Sequence, residues 1–256
     1  MIALIIDDVV ARVPTGDAET SAKFYGTPIA PDLSTLQDAR RVLQKYGLWS
    51  HVPASIADYL KSHDPARETP KELGPSVHHF VINKPQDACE TAKRKAEEKG
   101  LQGVILTTFL EGESREAGTF LAGIAKEITL KRRPIESPCV LIAGGETTTR
   151  VEKGSGRGGP SQELALGFSL EIAGLKGCCI AAIDTDGSDG PTDLAGGVAD
   201  SQTVERAENE GLDVYEFLKA HDSSALLRAL GDEIFTGNTG TNVCDLNIIY
   251  VPAKGN

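Results

Sequence analysis

The chain has 256 residues, 40% hydrophobic and 25% charged, with a formal net charge of -11 and a pI near 5.0. That composition is ordinary for a globular protein, and the acidic balance disfavours a nucleic-acid partner, because binding a phosphate backbone needs a basic face. No apolar run approaches the eighteen or so residues of a membrane span, and the odd set Cys89, Cys139, Cys178, Cys179 and Cys244 fits neither a disulfide framework nor a zinc site. A soluble, cytoplasmic protein with reduced thiols is the expectation.

In chain order, Ile2 to Ile6 is an unbroken apolar run ending in Asp7-Asp8, which predicts a parallel strand buried on both faces. It lacks the basic flank and cleavage site of a signal peptide. Residues 11–33 read as loop. Ser34-x-x-Gln37 forms a capping box for a helix to about Tyr46, closed by Gly47, and Pro53 suits the first turn of a helix to about Ser62. The stretch 63–76 has three prolines and no apolar period, which makes it a linker. Residues 1–70 are thus expected to be the end of one α/β domain and 71–256 a second. Within the second, strands at 77–82, 103–107, 138–143, 178–183 and 244–251 alternate with helices at 86–99, 114–129 and 161–173, and short helices fall within 201–231. This alternation predicts an α/β, three-layer Rossmann-like fold with a mainly parallel or mixed sheet.

In such sheets ligands collect where strand carboxyl ends meet helix amino ends. The loop "GGETTTRVEKGSGRGGPSQE", 144–163, follows one strand. Gly144 and Gly145 would let backbone approach a ligand, Thr147 to Thr149 offer hydroxyls, Lys153 and Arg157 offer charge, and Ser161 can cap a helix whose amino end faces an anion. The alternative is a surface hairpin using glycine for turn geometry. Gly154-x-Gly156-x-x-Gly159 has the form of a dinucleotide fingerprint, but about ten residues separate it from the strand end where that motif must begin. "DTDGSDGPTD", 184–193, carries Asp184, Asp186, Asp189 and Asp193, either as oxygen ligands for a hard cation or as an acidic turn capping its own backbone. "TGNTGTNVCD", 236–245, is either an oxyanion nest or two plain turns. Asp8 ends the first strand as a candidate metal ligand or base. The five histidines and the pair Cys178-Cys179 read as structural.

Together "AGGETTTRVEKGSGRGGPSQELAL", "DTDGSDGPTDLAGGVAD" and "TGNTGTNVCDL", supported by "LEGESREAG" (110–118) and "YGTPIAPDLST" (25–35), resemble the glycerate 2-kinase family. Its members are also labelled hydroxypyruvate reductases, and its carboxyl-terminal part is called MOFRL, here about 138–250. The resemblance implies transfer of the γ-phosphoryl group of ATP, with Mg2+, to the 2-hydroxyl of D-glycerate. It implies catalytic roles for Asp8 and Asp189, with metal at Asp186 and Asp189. Substrate and phosphate would be held by Gly144, Gly145, Glu146, Thr147, Thr148, Lys153, Arg157, Gly158, Gln162 and Glu163, together with Thr236, Thr239, Gly240, Thr241 and Asn242.

Family members usually carry a further upstream stretch with a glycine-rich loop and a lysine thought to be catalytic. The chain differs within the matched part too: Pro160-Ser161 stands where the family has Arg-Asn, and Asp7 where it has serine. A first domain cut short should leave an exposed strand edge and favour a homodimer. The rival readings are a binding module without turnover and an NAD(P)-dependent hydroxypyruvate reductase.

Overall fold

A computed structural model describes residues 1–10, 31–32, 34–62, 64–151 and 155–253. The chain divides into two compact units, one of Met1–Ile5 and Ala11–Phe80, the other of Ile6–Val10 and Val81–Asn256. Most of the expected loop 11–33 lies outside the described residues.

In the first unit β1 (Ile2–Ile6) pairs with β2 (His78–Asn83). His78 N–H donates to the Met1 carbonyl at 2.9 Å. The strand is not buried on both faces as its composition suggested: Ala3 and Ile5 are covered, whereas Ile2 and Leu4 are 72% and 66% exposed. An apolar run alone cannot show whether a second layer covers both sides. Helix α1 (Leu36–Lys45) starts one residue later than Ser34 would dictate. Its box is Thr35 with Asp38: the Thr35 hydroxyl accepts from Asp38 N–H at 3.2 Å, and the Asp38 carboxylate accepts from Thr35 N–H at 2.9 Å. Ser34 is drawn off by Asp32, to which its N–H and hydroxyl both donate. Helix α2 (Ala54–Lys61) follows, and the proline-rich stretch beyond it holds a 3-10 turn at Pro65–Arg67.

The second unit runs α3 (Pro85–Glu98), β3 (Gln102–Leu110), α4 (Ser114–Lys131), β4 (Cys139–Gly145), α5 (Pro160–Ile172), β5 (Cys179–Asp184), β6 (Gly196–Asp200), α6 (Thr203–Asn209), α7 (Val214–Lys219), α8 (Ser223–Leu230), β7 (Glu233–Ile234) and β8 (Asp245–Val251). The sheet order is β3-β4-β8-β5-β6-β7. Strands β3, β4 and β5 share a direction, as the β-α alternation requires, but β8 returns antiparallel between β4 and β5, and β6 and β7 add antiparallel pairs. The sheet is therefore mixed rather than mainly parallel. The reason is non-local: the last strand fills a gap between strands made about a hundred residues and sixty residues earlier.

Alternation along β8 shows the layers. Ile249 and Val251 join Leu121, Ala125, Ile128, Leu141, Phe168 and Ile180 in the core beneath α4 and α5. On the other face Ile248 and Tyr250 pack with Val140, Ile142 and the α3 residues Cys89 and Ala96. Helices α6 to α8 cover α5 through Leu166, Ala207, Leu218 and Leu226. Burial pushes the thiols of Cys89 and Cys178 up to about 11 and about 12, so neither is a nucleophile at neutral pH.

Candidate functional site

The insertion of β8 sets the site. Asp245, its first residue, lies opposite both Gly145 at the end of β4 and Asp184 at the end of β5. Two strand carboxyl ends thus meet at one carboxylate, which is 6% exposed. Asp245 accepts from Thr147 N–H at 3.1 Å and from the Thr147 hydroxyl at 3.4 Å. The same hydroxyl is 3.1 Å from that of Ser114, so α4 braces the loop. Burial pushes Asp245 up to about 8, and the charges of Asp184, Asp189 and Glu146 add to the shift. Asp184 is raised to about 6, first by burial and then by Asp186 and Glu146, against a hydrogen bond from Asp186 N–H. The Glu146 carboxyl rises by burial and by the neighbouring charges of Asp8 and Glu111. One end of the sheet therefore gathers acids that oppose one another's ionisation, an arrangement that a hard cation relieves.

Several expected site residues prove to be inward-facing. Asp189 is 1% exposed, and its two oxygens accept from Ser161 N–H at 3.0 Å and Gln162 N–H at 2.9 Å. It caps α5 from another segment, so it is not a free metal ligand, and the helix amino end expected to face an anion is already filled. Burial lifts its carboxyl to about 6 against these bonds. Gln162 is fully buried: its oxygen accepts from Ser224 at 2.6 Å, and its nitrogen donates to Thr192 at 3.2 Å. It braces the acidic loop. Glu163 is buried against His221, with Oε1 and Nδ1 2.9 Å apart; burial raises its carboxyl and the histidine contact opposes the rise. Thr147 is likewise buried.

At Gly144, Gly145 and Gly158 it is chain that approaches closely. A Cβ on Gly144 would lie 2.6 Å from Cys89 Sγ, and one on Gly145, at φ 149°, 2.2 Å from the Leu110 carbonyl. At Gly158 it would lie 2.2 Å from Ser223 Oγ. Close approach was the right inference from glycine, but the approaching group is the protein itself.

The loop 236–242 follows the plain-turn reading for most of its groups. Thr239 donates N–H to the Asp186 carbonyl at 3.0 Å and its hydroxyl to the Thr185 carbonyl at 2.6 Å. Asn242 accepts from Cys244 N–H at 2.9 Å, Gly240 N–H donates to Asn238 at 2.8 Å, and the Thr236 hydroxyl donates to the Gly237 carbonyl at 2.8 Å. The Thr241 hydroxyl is buried without a protein partner. The two Thr239 bonds tie the loop to the acidic one. Of the expected site residues, Asp8, Glu146, Thr148, Arg157, Thr236, Thr239 and Gly240 face outward, with Asp184 and Asp186 half-buried. Lys153 lies outside the described residues. Asp8 is attached through its carbonyl, which accepts from the Cys244 thiol at 2.9 Å.

Among the described residues, no group of three or more His, Cys, Asp or Glu side chains stands ready to hold a metal. The donor chemistry nevertheless suits Mg2+, which takes one or two carboxylates and fills the rest of its shell with water and phosphate oxygens. Asp186 fits that role: one oxygen accepts from Ser188 N–H at 2.7 Å, and the side chain is half-buried. Asp189 does not fit it. Asp245 stood in the sequence as the last letter of a turn-rich loop, and only the pairing of β8 with β4 and β5 reveals its centrality.

An α/β sheet whose carboxyl-end loops gather oxygen donors has the form of a ligand-binding unit. Residues 139–245 match the model of the MOFRL family. The chain is 41% identical over 255 residues to a glycerate 2-kinase of Pyrococcus horikoshii, covering 99% of this chain and 56% of that protein. It is 41% identical over 248 residues to a D-glycerate 2-kinase of Thermotoga maritima, covering 97% and 56%. The crystal structure of a glycerate kinase from Thermotoga maritima superposes with a TM-score of 0.81 at 41% identity, covering 98% of this chain and 56% of that one. The chain spans about half the length of the curated relatives it matches.

Proposed function

We propose that the chain supplies the acid cluster and arginine loop of a glycerate 2-kinase, which phosphorylates the 2-hydroxyl of D-glycerate from ATP with Mg2+ in the cytoplasm. The observation that carries this reading is the convergence of Glu146, Asp184, Asp186 and Asp8 around Asp245 at one sheet end. Carboxylates that raise one another's pKa in this way favour a cation. In this reading Asp186 holds Mg2+ together with the nucleotide phosphates, and the metal supplies charge neutralisation of the transferring phosphoryl group. Arg157 meets a phosphate or the glycerate carboxylate, and Asp8 and Glu146 face the substrate side. Residues 1–70 are the end of the family's first Rossmann-like domain, and the exposed Ile2 and Leu4 provide a surface for a second copy. No described helix is long and apolar enough to cross a membrane.

Calorimetric titration with ADP tests the nucleotide half of the proposal. Binding is expected in the presence of Mg2+, at least about tenfold weaker after metal removal with EDTA, and similarly weakened in Arg157→Met, which loses a charge-assisted contact. Equal affinity with and without metal would count against the role given to Asp186. The reductase alternative is disfavoured because the amides that would take a dinucleotide pyrophosphate at the start of α5 are already bonded to Asp189.

A further inference from the structure

The turn between α7 and α8 holds the glycine loop in an unusual way. Asp222 occupies the N-cap position of α8 but makes no bond to that helix's own amides. A capping aspartate is normally worth about 1 kcal/mol to its helix. Here its Oδ1 accepts instead from Arg157 N–H at 3.0 Å. The first-turn amide of Ser224 donates to the Arg157 carbonyl at 3.1 Å, and Gly156 N–H donates to the Ala220 carbonyl at 2.8 Å. The Arg157 backbone is thus gripped on both sides, while its guanidinium donates to the Pro191 carbonyl at 2.7 Å. Between Ala220 and Asp222, His221 adopts a left-handed φ of 54°, a conformation uncommon outside glycine, which directs its ring onto buried Glu163. The loop glycines fit this corner: a Cβ on Gly156 would lie 2.3 Å from Asp222 Cβ.

We propose that the 220–224 corner is the positioning element of the arginine loop, with Asp222 as the positioning residue that fixes Arg157 for an anionic ligand. The helix forgoes its own cap so that the loop is held. The ligand consequence rests on the reading of Arg157 as the anion-binding side chain; the grip on the loop does not.

Two arms separate the two claims. In the first, trypsin is added to the native chain and cleavage of the Arg157–Gly158 bond is followed by mass spectrometry. Asp222→Ala should be cleaved about tenfold faster, the factor expected for losing a hydrogen bond to a charged acceptor, while Asp222→Asn, which keeps an acceptor oxygen, stays near the parent rate. Gly156→Ala, which displaces the Asp222 side chain from the other side, should match Asp222→Ala. Parent-rate cleavage in both Asp222→Ala and Gly156→Ala overturns the proposal. In the second arm, calorimetry with ADP and Mg2+ should show a loss of about tenfold in Asp222→Ala and none in Asp222→Asn. If the parent chain binds and Asp222→Ala binds equally well, the positioning role is overturned. If the parent chain itself does not bind, the kinase reading fails and the cleavage arm still decides whether Asp222 holds the loop.

Discussion

Gly118→Ala is expected to lower the stability of the second unit by about 3 kcal/mol, the upper end of the usual cost of overpacking a close-packed interior. A methyl group at this position of α4 would lie 2.2 Å from the Leu164 carbonyl oxygen and 2.8 Å from the Phe168 nitrogen. Both are backbone atoms of α5, so no side-chain rotation relieves the overlap and the helices must separate. Gly167 repeats the arrangement from the other helix: its added Cβ would lie 2.5 Å from the Arg115 carbonyl oxygen. Separation would loosen the contacts of Leu121, Ala125, Leu164 and Phe168. It would also shift Ser114, whose N–H donates to the Thr148 carbonyl at 2.9 Å at the edge of the site. Urea unfolding should show a lower midpoint at an unchanged slope. A change within about 0.5 kcal/mol, the scale of an ordinary surface substitution, would contradict the backbone-close packing described here.

The second large effect is on pH dependence. In the unfolded chain the Asp245 carboxyl titrates near 3.8; in the folded protein it rises to about 8. Between those values the folded chain keeps a proton that the unfolded chain has released. The stability carried by the protonated form is therefore fully present below about pH 4 and is lost as pH rises toward 8. Asp184 and Asp189, both near 6, act with the same sign over the lower part of that window. Asp245→Asn puts a neutral side chain of the same shape in place of the protonated acid. Its gain over the parent should widen with pH, from about 2 kcal/mol at pH 5 to about 5 kcal/mol at pH 8, and its profile between them should be flatter. Urea midpoints of both proteins at pH 5 and pH 8 measure this, and parallel profiles would show that the carboxyl is not buried in its charged form. Bound Mg2+ should reduce the difference, because a cation at the sheet end favours the ionised acids.

The legible and illegible parts of this protein divide along a physical line. Helices α3, α4 and α5 and strands β3, β4 and β5 were readable because their apolar patterns are local. Strand β6 was not: Gly196-Gly197-Val198-Ala199-Asp200 has the composition of a turn. Gly197 is small because a Cβ there would lie 2.6 Å from Leu227 Cδ1 on α8, a contact made thirty residues away. The antiparallel return of β8 was hidden for the same reason, and with it the importance of Asp245.

At the site the residue types pointed to the right loops but not to their partners. A glycine permits close approach of a ligand or of chain, and only the fold shows Gly144 against Cys89 and Gly158 against Ser223. An aspartate on a glycine-hinged loop can bind metal or cap a helix, and Asp189 caps α5. Asp222 reverses that case: it stands where a cap belongs and serves the loop instead. His221 looked structural and is half-buried beside Glu163, yet its position places it in the corner that grips Arg157.

Formation of 2-phosphoglycerate from ATP, Mg2+ and D-glycerate by the purified chain, followed by phosphorus NMR, bears most directly on the proposed kinase reading. Product that requires all three components and disappears in Arg157→Met is the predicted result. A folded chain that forms no 2-phosphoglycerate under these conditions, while the nucleotide is left intact, would contradict it.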